Sequence, residues 1–590
     1  MNTFFQNKNI NKKAVVAFIV LQAIFITILF GIRKQGYHSD EVWNYAFANS
    51  TTGTQVYITD DNIPTNYLKW SDSKAFLDYI SVDKSEIFSY SSIYKNASQD
   101  LNPPLQYMLL HFVCSFFPNA WSKWFCFFIN IVAFMITQIY LFKFIKDITQ
   151  NDIVSLAGII LYGLSAGAIN TNFFLRIYAL GTCFVMMFVY YSFKLFLQRK
   201  ECPNNSLFIK IFITCFLGSF TIHLFFSIAF IIVLMYSIYY FFSKNYKLFF
   251  KYGFTCLSAV LLTLILFPAS LYQMFGHTEV IGQKKYPTLW QFKIYWSFMT
   301  KDVSGFHNSA INTMTKYYVL LGVFIISFLS IPICFLARKE KWFRKAVTKV
   351  KEKIKSLYNN KNKFPYIIIV LIVSINFFIF VAAANSSIPR MGIYARRYLF
   401  IIYPLYASLA VIILYYLIKI ILSKKKTVNI IMIITALVSV SLTYVFSSDF
   451  FSFRHEENGI NFDKIEKDAN CIILLNNAWL VTSASFELYD TNSFYLATFS
   501  DYEQDNYSNN IDTSKPLYLI LETTIFPDED EKNKDNAITV NGGMSLEDFA
   551  LRADKDIILN YYERLSISSK VELVGKDVLF GRRFEIYRLN

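Results

Sequence analysis

Charged residues are scarce in this chain. They make up 17% of its 590 residues, whereas a soluble domain carries roughly 25%, so a wholly water-exposed fold is excluded. The eight cysteines are scattered, without the paired spacing of a disulfide framework or of metal ligands. The C-terminal part also lacks a Gly-rich phosphate loop and a nucleophile elbow, which argues against nucleotide-dependent or serine-hydrolase chemistry there.

What the chain has instead is apolar sequence. Hydrophobic residues make up 54% and aromatic residues 18%, and apolar runs near the ~20 residues of a membrane span recur from residue 14 to residue 446. The first run is followed by no small-residue cleavage site, so it is predicted to be a retained helix rather than a signal peptide. Eleven transmembrane helices are predicted, at 14–32, 124–145, 153–170, 177–197, 207–222, 223–242, 250–271, 316–337, 364–384, 398–422 and 428–446.

Charge is distributed unevenly along the chain. The loop 33–103 has six basic and nine acidic residues, and the segment 447–590 has 14 basic and 26 acidic residues, although the whole chain has a net charge of +15. The excess of positive charge therefore lies in short loops, above all in 338–363, where 11 Lys and Arg face two Glu. Basic short loops are typical of the cytoplasmic side, so the charge indicates topology and contact with anionic lipid, not nucleic-acid binding. A multi-pass cell-membrane protein is predicted, with its N-terminus in the cytoplasm and its C-terminal domain outside.

The apolar run 104–117 is the exception among these segments. It has 14 residues, which is short for a span, and counting it as one would place the later basic loops outside. It is predicted to be a juxtamembrane or re-entrant helix that returns to the outer face. The domains expected are a transmembrane domain over 1–446, with 33–103 as its first outer loop, and an extracytoplasmic α/β domain over 447–590. In the latter, strands are predicted at 471–475, 517–521, 571–574 and 584–589, and helices at 479–488, 545–552 and 556–565.

The strongest single motif follows the first span. His38-Ser39-Asp40-Glu41 places two adjacent carboxylates at the mouth of a membrane helix, where unpaired charge is costly. Such a pair is either solvated in a loop or held by a bound cation or polar ligand, and the other motifs of the outer loops favour a functional role. They are Asp100-Leu-Asn102-Pro-Pro-Leu105, Arg176-Ile-Tyr178, His223 at the start of a span, and Arg396-Arg397-Tyr398 before a late span.

Together these motifs resemble the GT-C superfamily of membrane glycosyltransferases, in particular family-39-like bacterial enzymes related to protein O-mannosyltransferases and aminoarabinose transferases. The resemblance covers about residues 14–446 and lies in the order and common sidedness of the motifs. The Asp-Glu pair resembles the first-loop motif of that family, and Asp100 begins a segment similar to its Asp-x-His-Pro-Pro-Leu. Asn102 stands where the family has His, which removes a titratable imidazole from the acceptor loop.

The resemblance implies an inverting transfer of sugar from a polyprenyl-phosphate donor to an acceptor glycan, lipid or protein on the outer face. Asp40, Glu41 and Asp100 are the expected catalytic residues, with Asp40 as the base that takes the proton of the acceptor hydroxyl. The donor phosphate is expected on Arg176, Tyr178, His223, Arg397 and Tyr398, because cationic donors neutralise its charge. The acidic pair could also hold Mg²⁺ or Mn²⁺, although the sequence shows no complete ligand set.

Other interpretations stay open at this point. Arg176 and Arg397 could be helix-end residues that snorkel, His223 an interfacial histidine, and Tyr178 and Tyr398 members of an aromatic belt. A lipid-linked polysaccharide ligase or polymerase would share the architecture. A non-enzymatic transporter would show internal repeats and ionisable residues in mid-membrane, and neither is evident. A membrane sensor would leave the acidic first loop unexplained.

Overall fold

A computed structural model describes residues 11–51, 66–199, 203–275, 288–305, 348, 392–422, 424–446, 464–475, 481–482, 484–498, 514–522, 524–525, 551–552, 571–579 and 582–589. The chain divides into two compact units. The first, here called the helical unit, comprises 1–28, 130–172 and 177–450. The second, here called the mixed unit, comprises 29–129, 173–176 and 451–590.

Helices make up most of the described chain. In chain order they are α1 Lys12–Arg33, α2 Ser39–Asn49, α3 Lys74–Ile80, α4 Ser91–Gln99, α5 Leu105–Cys114, α6 Lys123–Thr149, α7 Asp152–Gly163, α8 Ala166–Phe173, α9 Tyr178–Leu197, α10 Asn205–Ser219, α11 Leu224–Phe242, α12 Tyr246–Leu266, α13 Ala269–Phe275, α14 Thr288–Ser304, α15 Tyr403–Ile421, α16 Lys425–Phe446 and α17 Ser485–Leu488. Two 3-10 segments, Lys84–Glu86 and Gly392–Ile402, complete the set.

Seven helical segments among the described residues are long and apolar enough to cross a membrane, so the predicted polytopic helical fold is confirmed. An eighth span would be α7 with α8, which are bent by 54° at the break between them. Predicted spans 316–337 and 364–384 lie outside the described residues. Helix α10 has 15 residues, fewer than the ~20 of a perpendicular span.

Buried amides pack inside the helical unit. Gln22 donates to the carbonyl oxygen of Ile159 at 2.8 Å and accepts from Gln138 at 2.9 Å. Gly163 leaves the room for them, because a Cβ there would lie 1.7 Å from Nε2 of Gln138. These hydrogen bonds satisfy polar groups that would otherwise be costly in an apolar interior.

The mixed unit contains a six-stranded sheet. Its strands are β1 Trp70–Asp72, β2 Asn470–Leu475, β3 Ser493–Thr498, β4 Leu517–Glu522, β7 Val571–Leu579 and β8 Arg582–Leu589, and β5 Thr524–Ile525 pairs separately with β6 Leu551–Arg552. The order β1-β3-β2-β4-β8-β7 has parallel pairing only among β3, β2 and β4. Both β2 and β4 are buried along their whole length, as expected of parallel strands covered on both faces.

The segment 33–103 contributes strand β1 to this sheet. Trp70 pairs with Tyr495 and Asp72 with Ser493, in antiparallel register. The loop and the C-terminal strands therefore share one core, in which Phe76 packs with Cys471, Ile473 and Phe494. Strand β3 is not among the predicted elements.

Several predicted elements of the C-terminal domain can be compared with the structure. The predicted strands 471–475, 517–521, 571–574 and 584–589 coincide with β2, β4, β7 and β8. The prediction of a helix over 545–552 is wrong at its end, because Leu551–Arg552 is a strand. The predicted helix 479–488 is helical over Ser485–Leu488, and 556–565 lies outside the described residues.

The run 104–117 forms α5, which is only 10 residues long. That length supports the prediction that it does not cross the membrane, and single-cysteine labelling on a cysteine-free background tests it. We expect probes at Asn119, which is exposed, and at Asn510 to react with an impermeant reagent in intact cells, and a probe at Asn360 to be protected. Protection at Asn119 with labelling at Asn360 would invert the topology.

Candidate functional site

The Asp-Glu motif forms the start of α2 in the mixed unit. His38 precedes the helix in extended conformation, and its Nδ1 accepts from the Asp40 N–H at 3.1 Å. The His38 N–H donates in return to Oε2 of Glu41 at 2.7 Å. This reciprocal capping satisfies donors that a helix start leaves open, and it places both carboxylates at the positive end of the helix dipole.

The two carboxylates of the motif lie in different environments. The Asp40 side chain is 12% exposed, with Oδ1 3.8 Å from His38 Nδ1, whereas the Glu41 side chain is fully buried against Lys34. Burial raises the pKa of Glu41, and the charge of Lys34 opposes that rise. Burial likewise lowers the pKa of Lys34 to about 8, against the effect of Glu41. Of the two acids, Asp40 is therefore the less enclosed.

Asp100 and Arg176 come together through a third residue. Asp100 ends α4, and its Oδ2 accepts a short hydrogen bond from the Tyr107 hydroxyl of α5. The same hydroxyl accepts from Nη1 of Arg176 at 2.9 Å, and Nη2 of Arg176 lies 3.9 Å from Oδ1 of Asp100. Burial raises the pKa of Tyr107, so its phenol stays protonated and orients both partners.

Tyr107 is a site residue that sequence reasoning did not single out. It stands at the end of the motif Asp100-Leu-Asn102-Pro-Pro-Leu-Gln-Tyr107. Its spacing from Asp100 is informative only in the fold, where the Tyr107 hydroxyl on α5 contacts the Asp100 carboxylate. Asn102 lies in the turn between α4 and α5 and is partly exposed. Its predicted role at the acceptor stays a prediction.

The second group of predicted phosphate ligands belongs to the helical unit. Tyr178 begins α9, and its ring centroid lies 6.5 Å from that of Tyr398 in the 3-10 segment. The Arg397 guanidinium lies 5.3 Å from the centre of the Tyr398 ring, a separation at which a cation and an aromatic face attract. The structure thus brings three of the four residues together.

His223, the fourth residue, precedes α11 and is partly exposed. Its Nε2 lies 2.9 Å from Oε1 of Gln273 on α13. The two side chains are therefore within hydrogen-bonding distance of each other.

A buried ion pair next to Arg397 is a second feature that the sequence did not reveal. Nη1 of Arg396 lies 3.5 Å from Oδ1 of Asp302 on α14, and the side chains are 2% and 0% exposed. The Tyr403 hydroxyl donates to Oδ2 of Asp302 at 2.7 Å. Of the two adjacent arginines, Arg396 is therefore neutralised by a counter-ion within the fold. The sign of this pairing in the sequence was that Asp302 is an isolated acid between two apolar runs.

Asp302→Asn should destabilise the protein strongly. The change leaves Arg396 as a buried charge without its counter-ion, which typically costs about 3–5 kcal/mol. Thermal unfolding of the purified protein in detergent should show a clear fall in the midpoint. A midpoint equal to that of the wild type would mean that Arg396 is solvated rather than paired.

Within the described ranges no three His, Cys, Asp or Glu side chains are grouped as metal ligands. The predicted Mg²⁺ or Mn²⁺ stays a prediction.

No protein-family model matches the chain, and no curated protein matches its sequence. Solved structures that are similar to the chain include the following three. ArnT from Cupriavidus metallidurans bound to undecaprenyl phosphate has a TM-score of 0.45 at 9% identity, and its apo state 0.45 at 8%, with 98% of each chain covered in both cases. The Archaeoglobus fulgidus oligosaccharyltransferase in complex with zinc and sulfate has a TM-score of 0.43 at 11% identity, covering 86% of this chain and 68% of that one.

At such TM-scores the likeness carries no argument about this chain, so the roles of its side chains are proposed from the contacts described above. Fold and composition define a multi-pass helical membrane protein with an α/β sheet in its C-terminal part.

Proposed function

We propose that the protein is an inverting membrane glycosyltransferase that moves a sugar from a polyprenyl-phosphate donor to an acceptor hydroxyl at the outer face of the membrane. One observation carries the proposal. The Glu41 carboxylate accepts from the N–H groups of His38 and Leu175. Asp40 precedes Glu41 in sequence and Arg176 follows Leu175, so this carboxylate links the two segments that carry the acid and the cation. A carboxylate can take the proton of the acceptor hydroxyl, and a guanidinium can neutralise the charge of the departing phosphate.

Asp40 is proposed as the general base. Its carboxylate takes the proton of the acceptor hydroxyl while the acceptor oxygen attacks the anomeric carbon. The bond from that carbon to the phosphate oxygen breaks on the opposite side, and the polyprenyl phosphate leaves with the electron pair. Attack from the opposite side inverts the anomeric configuration.

Arg176 is proposed to neutralise the charge that develops on the departing phosphate. Tyr107 and Asp100 orient its guanidinium, because Nη1 donates to the phenol and Nη2 approaches the carboxylate. In this proposal Asp100 orients Arg176, in addition to the catalytic role that the sequence predicts for Asp100. Arg397, Tyr178, Tyr398 and His223 are retained as proposed donor ligands.

Reconstitution tests this function. The purified full chain in proteoliposomes is given undecaprenyl phosphate linked to each of several sugars, with membrane extract of the source cells as the acceptor. Release of undecaprenyl phosphate together with a new glycoside of opposite anomeric configuration supports the proposal. Retained configuration would exclude Asp40 as the base of a single displacement. Release of no lipid phosphate with any donor would overturn the function.

A further inference from the structure

Glu41 occupies a place in the mixed unit that differs from that of a catalytic acid. Lys34 Nζ lies 2.8 Å from its Oε1 and 2.9 Å from its Oε2. The N–H of Leu175 donates to Oε1 at 2.8 Å, and the N–H of His38 donates to Oε2 at 2.7 Å. Both oxygens are therefore occupied, and neither Glu41 nor Lys34 exposes any of its side chain.

Those contacts join two separate pieces of chain, 34–41 and 173–176. Lys34 follows α1, His38 caps α2, and Leu175 lies in the short segment 173–176 that the mixed unit receives from a distant part of the sequence. Leu175 is the residue before Arg176, whose own N–H donates to the Phe174 carbonyl at 2.8 Å. The Glu41 carboxylate therefore determines where the main chain of Arg176 lies relative to the start of α2.

We infer that Glu41, paired with Lys34, is a positioning residue that fixes the segment 173–176 against the start of α2 and thereby holds Arg176 for the donor phosphate. The binding of the donor phosphate by Arg176 rests on the proposed function. The inference gives Glu41 a role other than the catalytic one predicted from the sequence. Lys34, which no motif singled out, becomes part of the site.

Neutralising one partner and neutralising both should have different effects. Glu41→Gln leaves Lys34 as a buried charge without its carboxylate counter-ion, which is strongly destabilising. Lys34→Met combined with Glu41→Gln removes both charges, so no uncompensated buried charge remains. The amide oxygen of the new Gln can still accept from Leu175. We expect Glu41→Gln to weaken binding of undecaprenyl phosphate roughly 10-fold, the size of one lost charge-assisted contact, and the double variant to recover most of that loss.

Turnover separates positioning from catalysis. A residue that transfers a proton cannot be replaced by an amide, so a catalytic Glu41 would leave the double variant inactive. A positioning Glu41 predicts that the double variant regains turnover, and that Glu41→Gln raises KM for the donor more than it lowers kcat. Full loss of kcat in the double variant, with normal thermal unfolding, would overturn the inference.

A double-mutant cycle tests whether Glu41 acts through Arg176. If it does, Glu41→Gln should reduce undecaprenyl phosphate binding by less than about 2-fold in an Arg176→Ala background, because coupled sites are not additive. Equal losses in both backgrounds would contradict the inference. Glu466→Gln is the matched control, since Glu466 pairs with Arg588 at 2.9 Å but both side chains are substantially exposed.

Hydrogen–deuterium exchange distinguishes this inference from the proposed function. The peptide that includes 173–176 should exchange faster in Glu41→Gln than in the wild type or in Glu466→Gln, because the Leu175 N–H has lost its charged acceptor. Unchanged exchange would overturn the positioning role whatever the ligand. Faster exchange would support the positioning role of Glu41. If Arg176→Ala also leaves undecaprenyl phosphate binding unchanged, the positioning role stands and the phosphate-binding role of Arg176 is overturned.

Discussion

Asp40→Asn should reduce sugar transfer by about 10²–10⁴-fold, the usual contribution of a positioned general base. The amide keeps the shape of the side chain but cannot accept the proton of the acceptor hydroxyl. The capping of α2 should persist, because it uses the main-chain N–H of Asp40 and the side chain of His38. Turnover of a polyprenyl-phosphate sugar is the measurement.

The control for Asp40→Asn is again Glu466→Gln, which exchanges a carboxylate for an amide on the exposed pair with Arg588. It should leave turnover within about 2-fold of the wild type, as expected for a surface ion pair. Donor binding by Asp40→Asn should also be near normal. A well-folded Asp40→Asn protein with wild-type turnover would remove Asp40 from the mechanism.

Arg176→Ala should weaken donor binding roughly 10- to 100-fold, because a hydrogen bond to a charged group is worth ~1.5–3 kcal/mol. Acceptor binding should change little. Tyr107→Phe should lose less, roughly 2- to 10-fold for one neutral hydrogen bond of ~0.5–1.5 kcal/mol, since Arg176 keeps its approach to Asp100. Titration with undecaprenyl phosphate gives the affinities of both variants.

Arg397→Ala provides a comparison within the helical unit, where Arg397 lies against Tyr398. A loss of undecaprenyl phosphate affinity similar to that of Arg176→Ala would support its predicted role at the donor. Unchanged affinity in both variants would mean that these arginines are anchors at helix ends. Unchanged affinity in Arg397→Ala alone would restrict the phosphate role to Arg176.

Much of the helical fold follows from local sequence. Runs such as Lys12–Arg33 and Lys123–Thr149 are apolar over their length, and in lipid such runs must satisfy their main-chain groups as helices. Strands β2 and β4 were predictable for a similar reason, since both are short apolar runs that end at polar residues. Strand β3 was missed although Ser493–Thr498 has the same character.

The candidate site was only partly predictable. Asp40, Asp100 and Arg176 stand in recognisable motifs, because acids and arginines beside membrane spans are costly unless they are used. Tyr107 and Lys34 carry no such signal. The role of the Tyr107 phenol depends on its contacts with Asp100 and Arg176. The role of the Lys34 ammonium depends on its contact with Glu41, and only the fold brings these partners together.

The sequence by itself determined the class of protein and the residue types of the site, since hydropathy and loop charge act locally along the chain. Only the tertiary structure separated the two neighbouring acids, since the Asp40 side chain is 12% exposed and the Glu41 side chain is fully buried against Lys34. Only the tertiary structure, too, joined Leu175 to Glu41 across 134 positions. Burial and long-range hydrogen bonds depend on which segments meet in space, and adjacent residues at a helix start point in different directions.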